Sequence, residues 1–411
     1  MTNPAPRLTV FALIVGYIAA WAASPLLIGR TPSDLDLFFW PSAELAAHGH
    51  PLLVYSLHRP DGYPNANGPL GLVPLIPIVV IANGLGSANN LQVRAGMAGA
   101  VVALFALLLG NEALRLLKAV RGAIRWRLGA ICVFLLAPAL WISFVDYGHL
   151  EQPIELCLVL LAVGYADKQR SVAAGVALGL ALLARTTAVL YILPFVMLPI
   201  ATRHWKPAVS LVASAGATAV VGLLPFLIAD GATVVHSLVT YRGDLPIGGG
   251  SLWVAILGTA AAGLVQHIDT YLVLAAATGL VGAAIWLRPA AAMTTSGVCG
   301  LLTVAAACYP MLAKTAYPYY LLEAYVFAAV WWLARPGSAL NWRIAAPVLV
   351  TAGALLAEWG KSLPLSGLGV VEGVVSSLIL ATVIALVMLD LWFGSVQTAP
   401  DVSASIASRA A

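Results

Sequence analysis

The sequence predicts an all-α polytopic membrane protein, with about twelve transmembrane helices and two re-entrant or interfacial helices on the outer side. Three observations carry that reading. Of 411 residues, 61% are hydrophobic and only 9% charged, with a mean hydropathy of +0.94. A soluble domain carries about 25% charged residues, so this chain cannot cover a water-facing surface and a soluble enzyme is excluded. The apolar residues also come in runs of bilayer length, about 20 residues per helix, and the Lys and Arg residues fall between the runs. A net charge of +4 with scattered basic residues leaves no nucleic-acid footprint.

The first run, from about Leu8 to Ile28 behind Arg7, exceeds a signal-peptide core and is followed by more spans, so it reads as a retained first helix (9–29). Further candidate spans are 93–115, 129–145, 153–166, 171–185, 187–201, 208–229, 270–287, 291–312, 318–334, 343–358 and 370–394. The stretches 69–84 and 252–265 are ambiguous. Orientation follows from the basic residues, which concentrate in cytoplasmic loops. The strongest marker is Arg115, Lys118, Arg121, Arg125 and Arg127, supported by Lys168 with Arg170, Arg203 with Lys206, Arg288, and Arg335 with Arg343. A full crossing at 69–84 would throw the first cluster outside, and Pro69, Pro74 and Pro77 make a poor spanning helix. That stretch is therefore expected to be re-entrant or interfacial, and parity makes 252–265 interfacial too. Both termini then face the cytoplasm. Residues 1–396 read as one transmembrane domain and 397–411 as a disordered tail. Cys132, Cys157, Cys299 and Cys308 sit in apolar runs without metal-ligand spacing and are expected to be buried thiols.

Polar groups against a membrane are costly, so their clusters are functional candidates. The first outer loop holds Ser33-Asp34-Leu35-Asp36-Leu37-Phe38-Phe39-Trp40. A carboxylate beside an aromatic interface is partly desolvated, which suits it to accept a proton; a helix cap followed by an aromatic belt explains the same letters. The loop continues to Tyr63-Pro64-Asn65-Ala66-Asn67-Gly68, mostly turn chemistry, with Tyr63 and Asn67 placed to meet a polar substrate. Asp146-Tyr147-Gly148-His149-Leu150-Glu151 supplies three metal-capable side chains without an H-E-x-x-H spacing; simple solvation of a polar loop explains them, and a substrate-hydroxyl or metal-assisting role makes His149 and Glu151 candidates for substrate contact. Arg185 has no acidic neighbour in sequence and either snorkels to lipid phosphates or binds a ligand phosphate. Arg242, ahead of Gly248-Gly249-Gly250, offers a second phosphate partner. The last cluster contains Lys314, Tyr317, Tyr320 and Glu323. A belt explains the tyrosines; Lys314 and Glu323 are harder to dismiss.

The layout resembles the GT-C integral-membrane glycosyltransferases, in particular the polyprenyl-phosphate-mannose-dependent mannosyltransferases of the phosphatidylinositol mannoside branch. The signature of an Asp before an aromatic stretch looks like Asp34 to Phe39. The Y-P-P turn looks like Tyr63-Pro64-Asn65, with the second Pro missing, and the basic residue ahead of T-x-x-L looks like Arg185 before Thr187. The resemblance implies a polyprenyl-phosphate sugar donor, a glycolipid or glycan acceptor, and membrane lipids as surroundings. It places the site on the outer face of a bacterial cytoplasmic membrane. An inverting transfer would use Asp34 or Asp36 as base and Arg185, with Arg242 or Lys314, at the donor phosphate. Tyr63, Asn67, His149, Glu151, Tyr317, Tyr320 and Glu323 remain for substrate contacts. No cofactor or metal is required, and a divalent cation fits the scheme. The rival expectation is a secondary transporter or flippase, which places charges at mid-membrane between repeated halves.

Overall fold

The computed structural model describes residues 5–56, 65–87, 89–121, 127–334, 341–360 and 368–393. Tyr63 and the tail 397–411 lie outside the described residues, as does the Arg242 side chain. The chain is built from α1 (Ala5–Ile28), α2 (Trp40–Ala47), α3 (Ile76–Gly84), α4 (Leu91–Arg121), α5 (Arg127–Leu135), α6 (Pro138–Ile142), α7 (Glu151–Asp167), α8 (Ser171–Ala184) and α9 (Val189–Ala201). It continues with α10 (Trp205–Val235), α11 (Tyr241–Asp244), α12 (Ala260–Leu287), α13 (Pro289–Ala292), α14 (Thr295–Leu312), α15 (Leu321–Ala334), α16 (Ala345–Gly360) and α17 (Leu368–Phe393). Two short strands, β1 (Gly248–Gly249) and β2 (Thr315–Ala316), pair in parallel.

Among the described residues, 7 helical stretches are long and apolar enough to cross a membrane: Thr9–Ile28, Leu91–Lys118, Gly129–Tyr147, Trp205–Thr240, Ala260–Leu287, Thr295–Leu312 and Val370–Phe393. The protein is thus an all-α polytopic membrane protein. Helices also occupy the other expected spans, but they are shorter; α8 has 14 residues and α9 has 13.

Helices cannot gain from apolar burial against lipid as they do against water, so close packing of small residues holds a bundle together. Gly175 and Gly179, four apart on α8, bring the α10 backbone at Leu211 and Ala215 against it. Gly96 and Gly99 do the same for α4 against α1 at Trp21 and Ala22. At the centre lies α15, buried along its whole length and flanked by α14, α16 and α7. A helix apolar on every side belongs in such a position, and its one charge, Glu323, must then find a partner inside the protein.

Two expectations need correction, those for residues 252–265 and for the cysteines. The 252–265 stretch is not one interfacial helix: Leu252–Ile256 forms a 3-10 turn, and residues 260–265 begin the 28-residue α12. Gln266, His267 and Asp269 interrupt the apolar run inside that helix. The fold satisfies two of these: Gln266 donates to the Leu245 carbonyl at 2.6 Å, and Asp269 accepts from the Lys314 backbone at 3.1 Å. The 69–84 stretch splits into a 3-10 turn, Pro69–Gly71, and the 9-residue α3. Nine residues rise only about 13 Å, well short of a bilayer core of about 30 Å. Finally, Cys132 is exposed on peripheral α5 and Cys157 is half-buried; only Cys299 and Cys308 are buried thiols.

Candidate active site

One end of the bundle gathers the loops after α1, α6, α8, α10 and α14. Contacts between them include Asp34 with His149, Arg185 with Glu323, and Thr315 donating to the Pro246 carbonyl at 2.6 Å. The other end carries a separate polar set, in which Thr295 bonds Asp167 at 2.9 Å and Arg343 pairs with Asp390 at 2.5 Å.

The centre of the first end is made by a turn. Past α6 the chain widens into a π-helical turn, Ser143–Tyr147, and stops at Gly148 with φ 81°. That left-handed conformation favours glycine, and a Cβ there would meet the side chains of Pro32 and Leu35. Gly148 therefore lets the chain pass under the first loop and deliver His149 beside Asp34. His149 Nε2 lies 3.2 Å from Asp34 Oδ2, and Nδ1 lies 2.5 Å from Glu151 Oε1. The ring lies against Tyr319, centroids 3.9 Å apart with the planes tilted by 37°, and makes an edge contact with Phe39 at 5.6 Å. Burial opposes protonation of His149, but the Glu151 and Asp34 carboxylates outweigh it and hold its pKa up at about 9. Asp34 keeps 24% of its side chain exposed, so it is the member of this trio that a substrate can reach. Ser33 Oγ donates to its Oδ1 at 3.0 Å.

Asp36, two residues on, turns elsewhere. It is half-buried towards Arg94, which also lies 5.0 Å over the Trp40 ring. Burial pushes its carboxyl above the ordinary range, with Arg94 opposing. The two aspartates that the sequence left interchangeable thus occupy different surroundings.

Beneath the trio lies a buried polar layer. Arg185 donates to Glu323 Oε1 at 2.5 Å, with 1% and 3% of the side chains exposed. The guanidinium sits over Tyr319 at 5.6 Å and Tyr320 at 5.3 Å. Gln152 donates to Glu323 and to the Tyr319 carbonyl, both at 3.0 Å, and accepts from Ser143. Thr187 donates to Glu155 at 3.0 Å. The phosphate-binding expectation for Arg185 assumed an open cation without an acidic neighbour. The fold instead supplies Glu323 from a helix 138 residues on, and the pair is enclosed.

Two hollows flank this centre. An apolar cavity of about 460 Å³ opens between α10 and α12, both of which pack on α9. Its walls are leucines and valines, and its polar end presents Thr186, Thr187, Asp269, Lys314 and Tyr320. Lys314 Nζ donates to the carbonyls of Gly243 at 2.7 Å and Gln266 at 2.9 Å. Burial lowers its pKa, opposed by Asp269 and Asp244. A second hollow of about 680 Å³ lies between Arg30, Ser33, Asp146 and Tyr147 on one side and Glu358 and Trp359 on the other. Tyr147, Tyr317 and Tyr319 cluster near it; Tyr317 stacks on Tyr319 with centroids 5.5 Å apart, and Tyr319 reaches Tyr320 at 3.2 Å between hydroxyls. The tyrosines bridge the trio and the apolar cavity.

The structure therefore brings Asp34, His149, Glu151, Arg185, Tyr317, Tyr320 and Glu323 together, with Lys314 at the neighbouring cavity. Asn67 stays in a turn, its carbonyl accepting from Tyr55 at 2.9 Å and from Asn65 at 2.6 Å. Asp146 pairs with Arg30 at 3.4 Å instead of joining His149 and Glu151, and no cluster of three or more His, Cys, Asp or Glu among the described residues is arranged to hold a metal ion. Sequence reasoning missed Gln152, Glu155, Tyr319 and Asp269. The spacing of Glu151 and Glu155, one helical turn apart on an apolar helix, was an available signal, as was Asp269 inside an apolar run.

Fold and site together define a polytopic helical membrane protein with a buried acid–base array at one end, next to a cavity of lipid-like lining. No protein-family model matches the chain, and no curated protein matches it.

Proposed function

We propose that the protein is a GT-C-like glycosyltransferase that moves a sugar, with mannose the first candidate, from a polyprenyl-phosphate donor to a glycolipid or glycan acceptor. In this reading the chain crosses a bacterial cytoplasmic membrane twelve times, with α3 re-entrant, both termini inside and the site outside. The observation that carries it is Asp34, a partly exposed carboxylate backed by His149 and Glu151, whose neighbour Ser33 lines the polar hollow, while Tyr319, set against the His149 ring, leads through Tyr320 to the apolar cavity.

The polyprenyl tail lies along the Leu and Val walls between α10 and α12, and its phosphate meets Lys314 and the Thr186 and Thr187 hydroxyls. The acceptor enters from the hollow at Ser33 and Asp146. Asp34 takes the proton of the acceptor hydroxyl, and that oxygen attacks the anomeric carbon. The bond from this carbon to the phosphate oxygen breaks, and polyprenyl phosphate leaves as the anion. Tyr317 and Tyr320 flank the sugar, while Arg185 and Glu323 form the rigid floor. Arg242 and Tyr63 keep the supporting roles the resemblance implies. No cofactor is needed, and a divalent cation at the phosphate is compatible.

The buried carboxylates Glu155 and Glu323 favour a second reading, a transporter or flippase, because charge inside a bundle marks substrate and proton paths. Purified protein, reconstituted with polyprenyl-phosphate-mannose and candidate glycolipid acceptors and read by mass spectrometry, separates the two. Asp34→Asn is expected to lower transfer by about 10²–10⁴-fold, the worth of a general base, while Asp36→Asn retains most activity. Protein-dependent lipid translocation without any glycosylated product would support the transporter.

A further inference from the structure

We infer that His149 is a positioning residue, held as an imidazolium between Glu151 and Asp34 so that one carboxylate oxygen of Asp34 is anchored and the other is presented to the acceptor. This rests on the transferase reading above and assigns the buried pair behind its base.

The geometry excludes the substrate-contact role expected for these residues. His149 has 5% and Glu151 0% of the side chain exposed, so neither meets a ligand in the hollow. Both ring nitrogens face carboxylates: Nδ1 to Glu151 at 2.5 Å and Nε2 to Asp34 at 3.2 Å. An imidazole between two carboxylates satisfies both only when both nitrogens carry protons. The plane of the ring is fixed by Tyr319 and Phe39, so rotation cannot release Asp34. Facing groups come from every neighbouring element: Asp34 after α1, Tyr147 in the π-helical turn after α6, Glu151 at the start of α7, Tyr319 before α15, and Glu323 on α15. The carboxylates dominate that list, and they favour the cation. Oδ2 is in ion-pair contact with His149 Nε2 at 3.2 Å, a ring nitrogen that has no other hydrogen-bond partner among the described residues. Oδ1 is left with the exposed Ser33 hydroxyl, which an acceptor hydroxyl can displace.

The test is the pH profile of kcat for mannose transfer from polyprenyl-phosphate-mannose by wild type, His149→Gln and Glu151→Gln. Without the imidazolium, ionised Asp34 loses the positive partner that stabilises it, and the acid limb should move up by about one pH unit or more. Without Glu151, His149 gives up its proton at lower pH, so the alkaline limb should move down by about one unit or more. KM should change far less than kcat in both. Two unchanged profiles with transfer intact would overturn the positioning role while leaving the transferase reading standing; no transfer by wild type would overturn the transferase reading itself. If His149→Gln does not fold, ¹⁵N NMR of histidine-labelled wild type decides: the His149 ring should keep both protons at pH 8, and a neutral ring there would overturn the inference.

Discussion

The buried pair of Arg185 and Glu323 yields an asymmetry that can be worked from its surroundings. Removing one member of a buried ion pair costs about 3–5 kcal/mol, because it strands the other charge. In Arg185→Met the stranded group is Glu323, which keeps its 3.0 Å bond from Gln152 and can escape by binding a proton. That variant belongs at the low end, about 3 kcal/mol. In Glu323→Leu the stranded group is Arg185, which cannot lose its proton, is 1% exposed and retains the stacked rings of Tyr319 and Tyr320. That variant belongs at the high end, about 5 kcal/mol. The double variant replaces both partners by apolar groups and should lie near wild type, giving a coupling of several kcal/mol. Reversible unfolding in bicelles across the four proteins of a double-mutant cycle measures all three values. A cost below about 1 kcal/mol for Arg185→Met, the range of an exposed pair, would refute the reasoning. So would a Glu323→Leu variant more stable than Arg185→Met.

Two further outcomes are expected. Lys314→Met removes the cation at the polar end of the cavity; a charged hydrogen bond is worth about 1.5–3 kcal/mol, so the KM for polyprenyl-phosphate-mannose should rise at least about tenfold, as read from initial rates over a donor titration. Gly148→Ala puts a Cβ into Pro32 and Leu35 at a φ of 81° and should cost about 1–2 kcal/mol in the same unfolding assay from the left-handed backbone alone. It should also reduce transfer by separating His149 from Asp34.

Much of the helical layout was legible because lipid imposes a length and a composition on each span. The errors fell where polar side chains interrupt an apolar helix and are satisfied from elsewhere. Gln266 and Asp269 looked like a boundary, yet residues 243–245 and 314 reach across to bond them. The first outer loop and the His149 turn stood out as polar sequence between apolar runs. Which aspartate faces His149 did not, since Asp34 and Asp36 differ only in where a π-helical turn aims them. The partner of Arg185 was also hidden, because Glu323 belongs to another helix far along the chain. Pairings of this kind depend on how helices pack, which periodicity does not record.

The two-residue strands β1 and β2 carry a mechanical consequence. Gly248 donates to the Lys314 carbonyl at 3.0 Å and Gly250 to that of Ala316 at 2.7 Å, while the Lys314 ammonium is tied back to Gly243 and Gln266. The rim of the apolar cavity is therefore a small clasp of backbone bonds with a cation stitched through it. Widening that rim for a bulky headgroup means unzipping the clasp and freeing the lysine in one motion, so entry to the cavity and availability of its positive charge are geared together.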